Sequence, residues 1–297
     1  MDDSYLRGIP WQRFKEFISP HADRFRILKE SLEETKLDYT VLEIAGNRHI
    51  VVTPPLSMEQ FPQRRPPPVL VAHYDRAPGS PGANDNSAGV FLLLEAAIKL
   101  KNSAAANWVV IFTDKEELKS GEGIAAQGAY TLALGFKNLK MEKSKIFCFD
   151  ACGVGDTLVI STTADHLLKK EAGGKKLQKA VLALQKTALG TARDLGLAKV
   201  LLAPTPFSDD AGFLRAGLAA QTITMLPSAE CIGLAAALRK SADLADTLIN
   251  ATFSKDNRAA AIPETWRSLN SPSDSYLRLT PEHFRTVLRF AQALCRG

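Results

Sequence analysis

From residue 69 onward, short apolar runs take turns with longer segments of helical periodicity, and few folds accept that pattern. The runs VLVA (69–72), WVVIF (108–112), KIFCF (145–149), TLVIS (157–161) and QTITML (221–226) have the length and the β-branched, aromatic character of strands. Between and after them, SAGVFLLLEAAIKL (87–100), AAQGAYTLAL (125–134), LQKAVLALQKTA (177–188) and ECIGLAAALRKSADLADTLIN (230–250) read as helices. So does TPEHFRTVLRFAQALC (280–295), with Thr280 as its cap and Pro281 where a missing N–H costs nothing. This alternation predicts an α/β fold, a mostly parallel central sheet with helices on both faces. Ahead of it, residues 10–36 set Phe14, Phe17, Phe25, Leu28 and Leu32 at near-helical spacing. YTVLEIAGNRHIVV (39–52) predicts a hairpin turning at Ala45-Gly46-Asn47, and RRPPP (64–68) a stiff extended connector.

Length and composition agree with one large domain over residues 1–297. The 297 residues are 45% hydrophobic and 23% charged, ordinary for a soluble globular chain. No apolar stretch reaches membrane-spanning length, and MDDSYLRGIPWQRF lacks the apolar core of a signal peptide, so a cytoplasmic protein is expected. Thirty-seven Lys and Arg against 32 Asp and Glu leave a net charge of +5, densest at KKEAGGKKLQK (169–179). Neither a recognition motif nor interleaved aromatics accompany that run, so it predicts a solvated helix face and no nucleic acid. Cys148, Cys152, Cys231 and Cys295 form no Cys-x-x-Cys pair, which argues against a zinc ribbon or a redox motif.

In parallel sheets the ligand crevice lies beyond the carboxyl ends of the strands. After the first run come His73 and Asp75; after the second, Asp114, Glu116 and Glu117; after the third, Asp150. Asp85 stands at a helix start. Any one of these is an ordinary loop acid, whereas together they predict a site. Carboxylates and an imidazole gathered in one crevice repel unless a cation sits among them, and zinc accepts both donor types. Several carboxylates also suit two metals about 3.5–4 Å apart. Asp75 is spaced to accept the second ring N–H of His73 and fix its tautomer. The Glu116-Glu117 pair allows a division of labour, one binding metal while its neighbour takes a proton from the attacking water.

The order His73-x-Asp75, GANDNSAG (82–89), Glu116-Glu117, strand-end Asp150, SDD…F…AGL (208–218) and SPSDS (271–275) resembles the co-catalytic zinc exopeptidases. That family contains aminopeptidase Y, bacterial leucyl aminopeptidase, glutamate carboxypeptidase II and the glutaminyl cyclases. The resemblance runs from about residue 69 to the C-terminus, and GANDNSAG after AHYD is its most specific part. It implies His73 and Asp150 as ligands of one metal, Asp85 as the bridging carboxylate and Glu117 as a ligand of a second metal. It further implies Glu116 as general base, Asp75 as the carboxylate behind the histidine, and a cis bond from Asp85 to Asn86. Two positions depart from the pattern. Asn270 stands where the family carries the last histidine ligand of its second metal. Ser208-Asp209-Asp210 replaces the usual Ser-Asp-His.

The resemblance therefore implies a metal-dependent exopeptidase, foremost an aminopeptidase acting on a peptide or small amide. One or two zinc ions are expected, with a weakened second site that an Asn oxygen suits better for harder divalent ions. Two other readings remain open: a catalytically impaired member kept as a binding or structural protein, and a single-metal acyltransferase like the glutaminyl cyclases. Metal stoichiometry separates them.

Overall fold

A computed structural model describes residues 11–54, 66–103, 105–139, 141–170, 174–241, 243–249 and 261–296. Its strands are β1 (Tyr39–Ile44), β2 (Asn47–Val52), β3 (Pro68–His73), β4 (Val109–Thr113), β5 (Lys145–Phe149), β6 (Thr157–Ser161), β7 (Val200–Ala203) and β8 (Ala220–Leu226). They form one eight-stranded sheet in the order β1-β2-β4-β3-β5-β8-β6-β7. Pairs β3/β4, β3/β5, β5/β8 and β6/β7 are parallel; β1/β2, β2/β4 and β6/β8 are antiparallel. The sheet is mostly parallel, as the alternation predicts, with an antiparallel hairpin at one edge. That hairpin turns through Ala45 (φ 52°) and Gly46 (φ 80°), the paired left-handed geometry whose twist matches two-residue hairpins.

Helices cover both faces because the central strands are apolar on both. Along β3, Leu70 and Ala72 join one core while Val69 and Val71 join the other, the period of two expected of a pleated strand. The first face packs α1 (Phe14–Phe17), α2 (Arg24–Glu34), α3 (Gly89–Asn102), α6 (Lys175–Asp194) and α11 (Phe284–Leu294) around Trp11, Phe91, Phe147 and Phe149. The second packs α4 (Gly128–Asn138) and α7 (Asp209–Arg215) through Leu132, Phe136 and Phe213. Beside β6 and β8 lie α8 (Ser228–Lys240), α9 (Leu244–Ile249) and α10 (Glu264–Arg267), and α5 (Thr163–Lys170) packs on α6. Full burial of a ring such as Phe91 contributes about 1.5–3 kcal/mol.

Four expectations change. Residues 11–36 break into a 3-10 turn, α1 and α2, with Pro20 and the α2 cap Asp23 between them; Asp23 accepts the Arg26 N–H at 3.0 Å. The segment 230–250 divides into α8 and α9. Within RRPPP, residues 64 and 65 lie outside the described residues, and Pro68 already belongs to β3. The helix expected at 87 begins as an irregular turn, Ala83–Ala88, before α3 takes over.

The strand order places the crevice. β4 pairs on one side of β3 and β5 on the other, while α3 and α4 cover opposite faces, so the loops after β3, β4 and β5 part at one point.

Candidate metal centre and cleft

His73 is the last residue of β3 and is fully buried. Its Nε2 looks toward Asp85 Oδ1 at 3.2 Å and Asp150 Oδ1 at 3.6 Å, and its Nδ1 toward Asp75 Oδ1 at 3.4 Å. Neither ring nitrogen completes a hydrogen bond, and Asp150 Oδ1 is likewise buried without a partner. One donor atom from each of His73, Asp85 and Asp150 lies within 4.8 Å of the other two, close enough to hold a metal ion. An imidazole nitrogen and two carboxylate oxygens are a donor set that zinc accepts, and the unmet buried donors fit such an ion. The residues present fit the group.

Local backbone contacts explain how three loops bring these groups together. Gly82 enters the Ala83–Ala88 turn at φ +61°, and a Cβ there would stand 2.7 Å from the Asp85 carbonyl. Asp274 then holds the turn, its carboxylate accepting the N–H of Asn84 at 2.8 Å and of Asp85 at 3.0 Å. Asn84 Oδ1 accepts the Gly153 N–H at 2.7 Å, and Asn86 Nδ2 donates to the Phe149 carbonyl at 2.7 Å. The loop bearing Asp85 is thereby tied to the one bearing Asp150. The Asp85–Asn86 peptide is cis. Behind this turn Arg24, buried in α2, donates to the carbonyls of Phe17, Tyr74, Asp75, Pro81 and Gly82 and to Ser87 Oγ, at 2.8–3.4 Å.

Asp75 works in two directions. It faces His73, and it accepts the backbone N–H groups of Glu116 (3.1 Å) and Glu117 (3.0 Å). Burial pushes its carboxyl up, but His73 and those two N–H groups outweigh it and hold the group below the usual carboxylate range. Glu116 Oε1 accepts from Gln127 Nε2 at 3.0 Å. Asn270, at a left-handed φ of 57°, turns its amide to Glu117 and Asp85. With nitrogen inward it donates to Glu117 Oε1 at 2.6 Å, to Oε2 at 3.2 Å and to Asp85 Oδ2 at 3.2 Å. With oxygen inward, the same spot offers a cation oxygens from three residues. His73, Asp75, Asp85, Glu116, Glu117, Asp150 and Asn270 thus gather at one crevice.

Asp114 does not join them. It accepts the Arg48 N–H at 3.0 Å, and its own N–H goes to His49 Nδ1. Asp209 and Asp210 are fully buried and are absent from the cleft lining among the described residues; Ala211 lines it instead. Asp209 accepts from Thr113 Oγ1 at 2.7 Å and Asp210 from the Ser208 N–H at 3.1 Å.

Burial and mutual repulsion set the charge balance of the crevice. Burial opposes charge on His73, yet the surrounding carboxylates raise its pKa well above the ordinary imidazole value. Burial likewise drives Glu116 well above the usual carboxylate range, helped by Glu117, Asp150 and Asp209 and opposed by His73. Glu117 is pushed to about 9 by burial and then Asp85, and Asp85 is raised by burial and then Asp150. Carboxylates that hold one another's protons need a cation to ionise together.

The crevice opens into a cleft of about 690 Å³, within the range of small-ligand sites. Gln127 carries no sequence signature, and Asp274 lies in SPSDS without its role being readable there. Gln127 sits ten residues past Glu117 at the start of α4, and Asp274 acts entirely through backbone N–H groups.

The sequence profile of Peptidase family M28 matches residues 60–274. No curated protein sequence matches the chain. Among solved structures, the fold is similar to a zinc aminopeptidase from Bacillus subtilis, at 19% identity and TM-score 0.52 over 83% of this chain. The chain spans 49% of that protein's length. It is also similar to a leucine aminopeptidase precursor from Bacteroides thetaiotaomicron, at 14% identity and TM-score 0.62, covering 100% of this chain and 96% of the other. A glutaminyl cyclase from the same organism, bound to N-acetylhistamine, matches at 15% identity and TM-score 0.62, covering 100% and 97%.

Proposed function

The chain belongs to peptidase family M28, and from that premise we propose that it is a metal-dependent exopeptidase, foremost an aminopeptidase, with Glu116 as its general base. The observation that carries the reading is the meeting of His73, Asp85 and Asp150 around one possible ion, with Glu116 beside them on the same cleft. A divalent metal bound there, zinc by family, supplies polarisation of the scissile carbonyl and acidification of water.

The remaining work falls to the chain's own groups. Glu116 accepts the proton of the attacking water and returns it to the leaving amine. Gln127 fixes one Glu116 oxygen, and Asp75 fixes the backbone that presents Glu116 and Glu117. Asp75 also faces His73 Nδ1 at 3.4 Å, on the side of the ring away from Asp85. The apolar cleft walls, Phe207 and Leu269 among them, keep bulk water from the reacting carbonyl. We extend the reading to a single catalytic domain. No helix among the described residues is long and apolar enough to cross a membrane, and four unpaired cysteines suit a reducing cytoplasm.

One further observation favours a second reading. The fold is shared with a glutaminyl cyclase, so a single-metal acyltransferase of that kind is the second reading, although it relies on Asp85, Glu117 and position 270, where Asn270 gives an amide in place of an imidazole. The two are separated on zinc-loaded protein. The peptidase frees amine from an aminoacyl anilide; the acyltransferase frees ammonia from an N-terminal glutamine without cutting the peptide. Glu116→Gln should keep the zinc content and lose on the order of a hundredfold or more in turnover. Turnover at the parental rate would exclude Glu116 as the base.

A further inference from the structure

The cleft is polarised from floor to rim. Its floor carries the carboxyl groups of Asp85, Glu116, Glu117 and Asp150, and among the described lining residues its one cation is Arg267. Arg267 ends α10, directly after the buried Trp266 and three residues before Asn270, and it is exposed where it lines the cleft. Glu264, the carboxylate of the same short helix, is engaged by Arg278 Nη1 at 3.2 Å. Among the described residues no carboxylate pairs with Arg267. An exposed guanidinium without an acid, on the wall of a cleft, presents a planar fork of donors that matches a carboxylate.

Resting on the peptidase reading above, we propose that the substrates are short free peptides, with the α-amine toward the acidic floor and the C-terminal carboxylate on Arg267. The volume of about 690 Å³ suits a di- or tripeptide rather than a run of polypeptide. Leu118, Ile124, Phe207 and Leu269 supply apolar wall for one side chain between the two charged ends. A divalent cation offsets much of the floor's negative charge, whereas nothing described offsets Arg267. A longer peptide carries a neutral amide where the carboxylate would lie and forfeits the charge-assisted bond.

The test compares Leu-Gly and Leu-Gly-Gly with their C-terminal amides on zinc-loaded parent, Arg267→Gln and Arg267→Lys. In the parent, kcat/KM should favour the free carboxylate by roughly tenfold or more, mainly through KM. Arg267→Gln should bring the ratio toward one, and Arg267→Lys should restore part of it. A ratio near one in the parent, or a preference that survives in Arg267→Gln, overturns the proposal. Hydrolysis of neither form would count against the peptidase reading alone. The peptides then stay intact, and calorimetric binding of Leu-Gly against its amide decides. A difference that vanishes in Arg267→Gln upholds the carboxylate site, and equal binding overturns it.

Discussion

At Asn270 one amide has two uses, and we propose that the end pointing inward sets how many cations the cleft holds. Nitrogen inward, it bonds Glu117 and Asp85 directly and takes the place of an ion; oxygen inward, it is a weak ligand beside two carboxylates. Asn270→His replaces that choice with an imidazole, a strong zinc ligand. Zinc content at low micromolar metal should then rise from near one equivalent toward two. An unchanged count would place Asn270 outside the metal centre. Single residues of this kind were the most legible part of the chain. His73, Asp75, Glu116, Glu117 and Asp150 follow apolar runs directly, and a strand's end fixes where its next side chains emerge. Gln127 was not legible, nor was the role of Asp274 within SPSDS, because each acts on groups that no local spacing connects to it.

The element that holds the site together is the β3–α3 connection, and its anchor is Arg24 on α2. All of Arg24's donors are used on that connection and on Phe17, so one side chain reaches five carbonyls, of which Gly82 also accepts from Ser87 and Pro81 from Arg76. Burial lowers its pKa to about 9, with Arg76 adding to the effect, yet Asp75, Asp85 and Asp274 keep the guanidinium favoured. Arg24→Ala should destabilise the fold by on the order of 3–5 kcal/mol, read from the denaturant midpoint, and weaken zinc binding in what remains folded. Loss of stability below about 1 kcal/mol would mean that the loop holds its shape without the clamp. Elements were legible according to length. The central strands and long helices declare themselves by period, whereas VLLA in β7 and the one- or two-turn α7 and α10 are too short to show one. The break at Pro20 was missed because the apolar spacing continues across it. What the short pieces do is tertiary: α7 sits on β8 and α4, and α10 sets one wall of the cleft.

Across the whole molecule, buried carboxyl groups without a matching cation make stability depend on pH and metal together. Burial pushes Asp209 and Asp210 each to about 7, and Glu117 to about 9, against about 4 in an unfolded chain. A carboxyl whose folded pKa is raised favours the fold fully below its unfolded value and loses that contribution as pH rises through the folded one. His49 acts in the opposite sense. It is buried as a neutral ring with its pKa lowered to about 4, so its contribution is complete above about 6.5 and falls away toward pH 4. One imidazole opposes several carboxyls, and above pH 6.5 nothing from His49 offsets their ionisation. Chelator-treated protein should therefore melt lower at pH 8 than at pH 5, by on the order of 5 °C or more. Zinc binds the ionised crevice, so it should raise the melting temperature most at pH 8 and shrink or reverse that difference. Asp209→Asn with Asp210→Asn should flatten the chelated profile while leaving His73, Asp85 and Asp150 to bind zinc, because the pair lies behind the cleft wall. A chelated protein that grows more stable from pH 5 to 8 would show that these carboxyls ionise freely in the fold, and that the acidic crevice does not need its cation to stand.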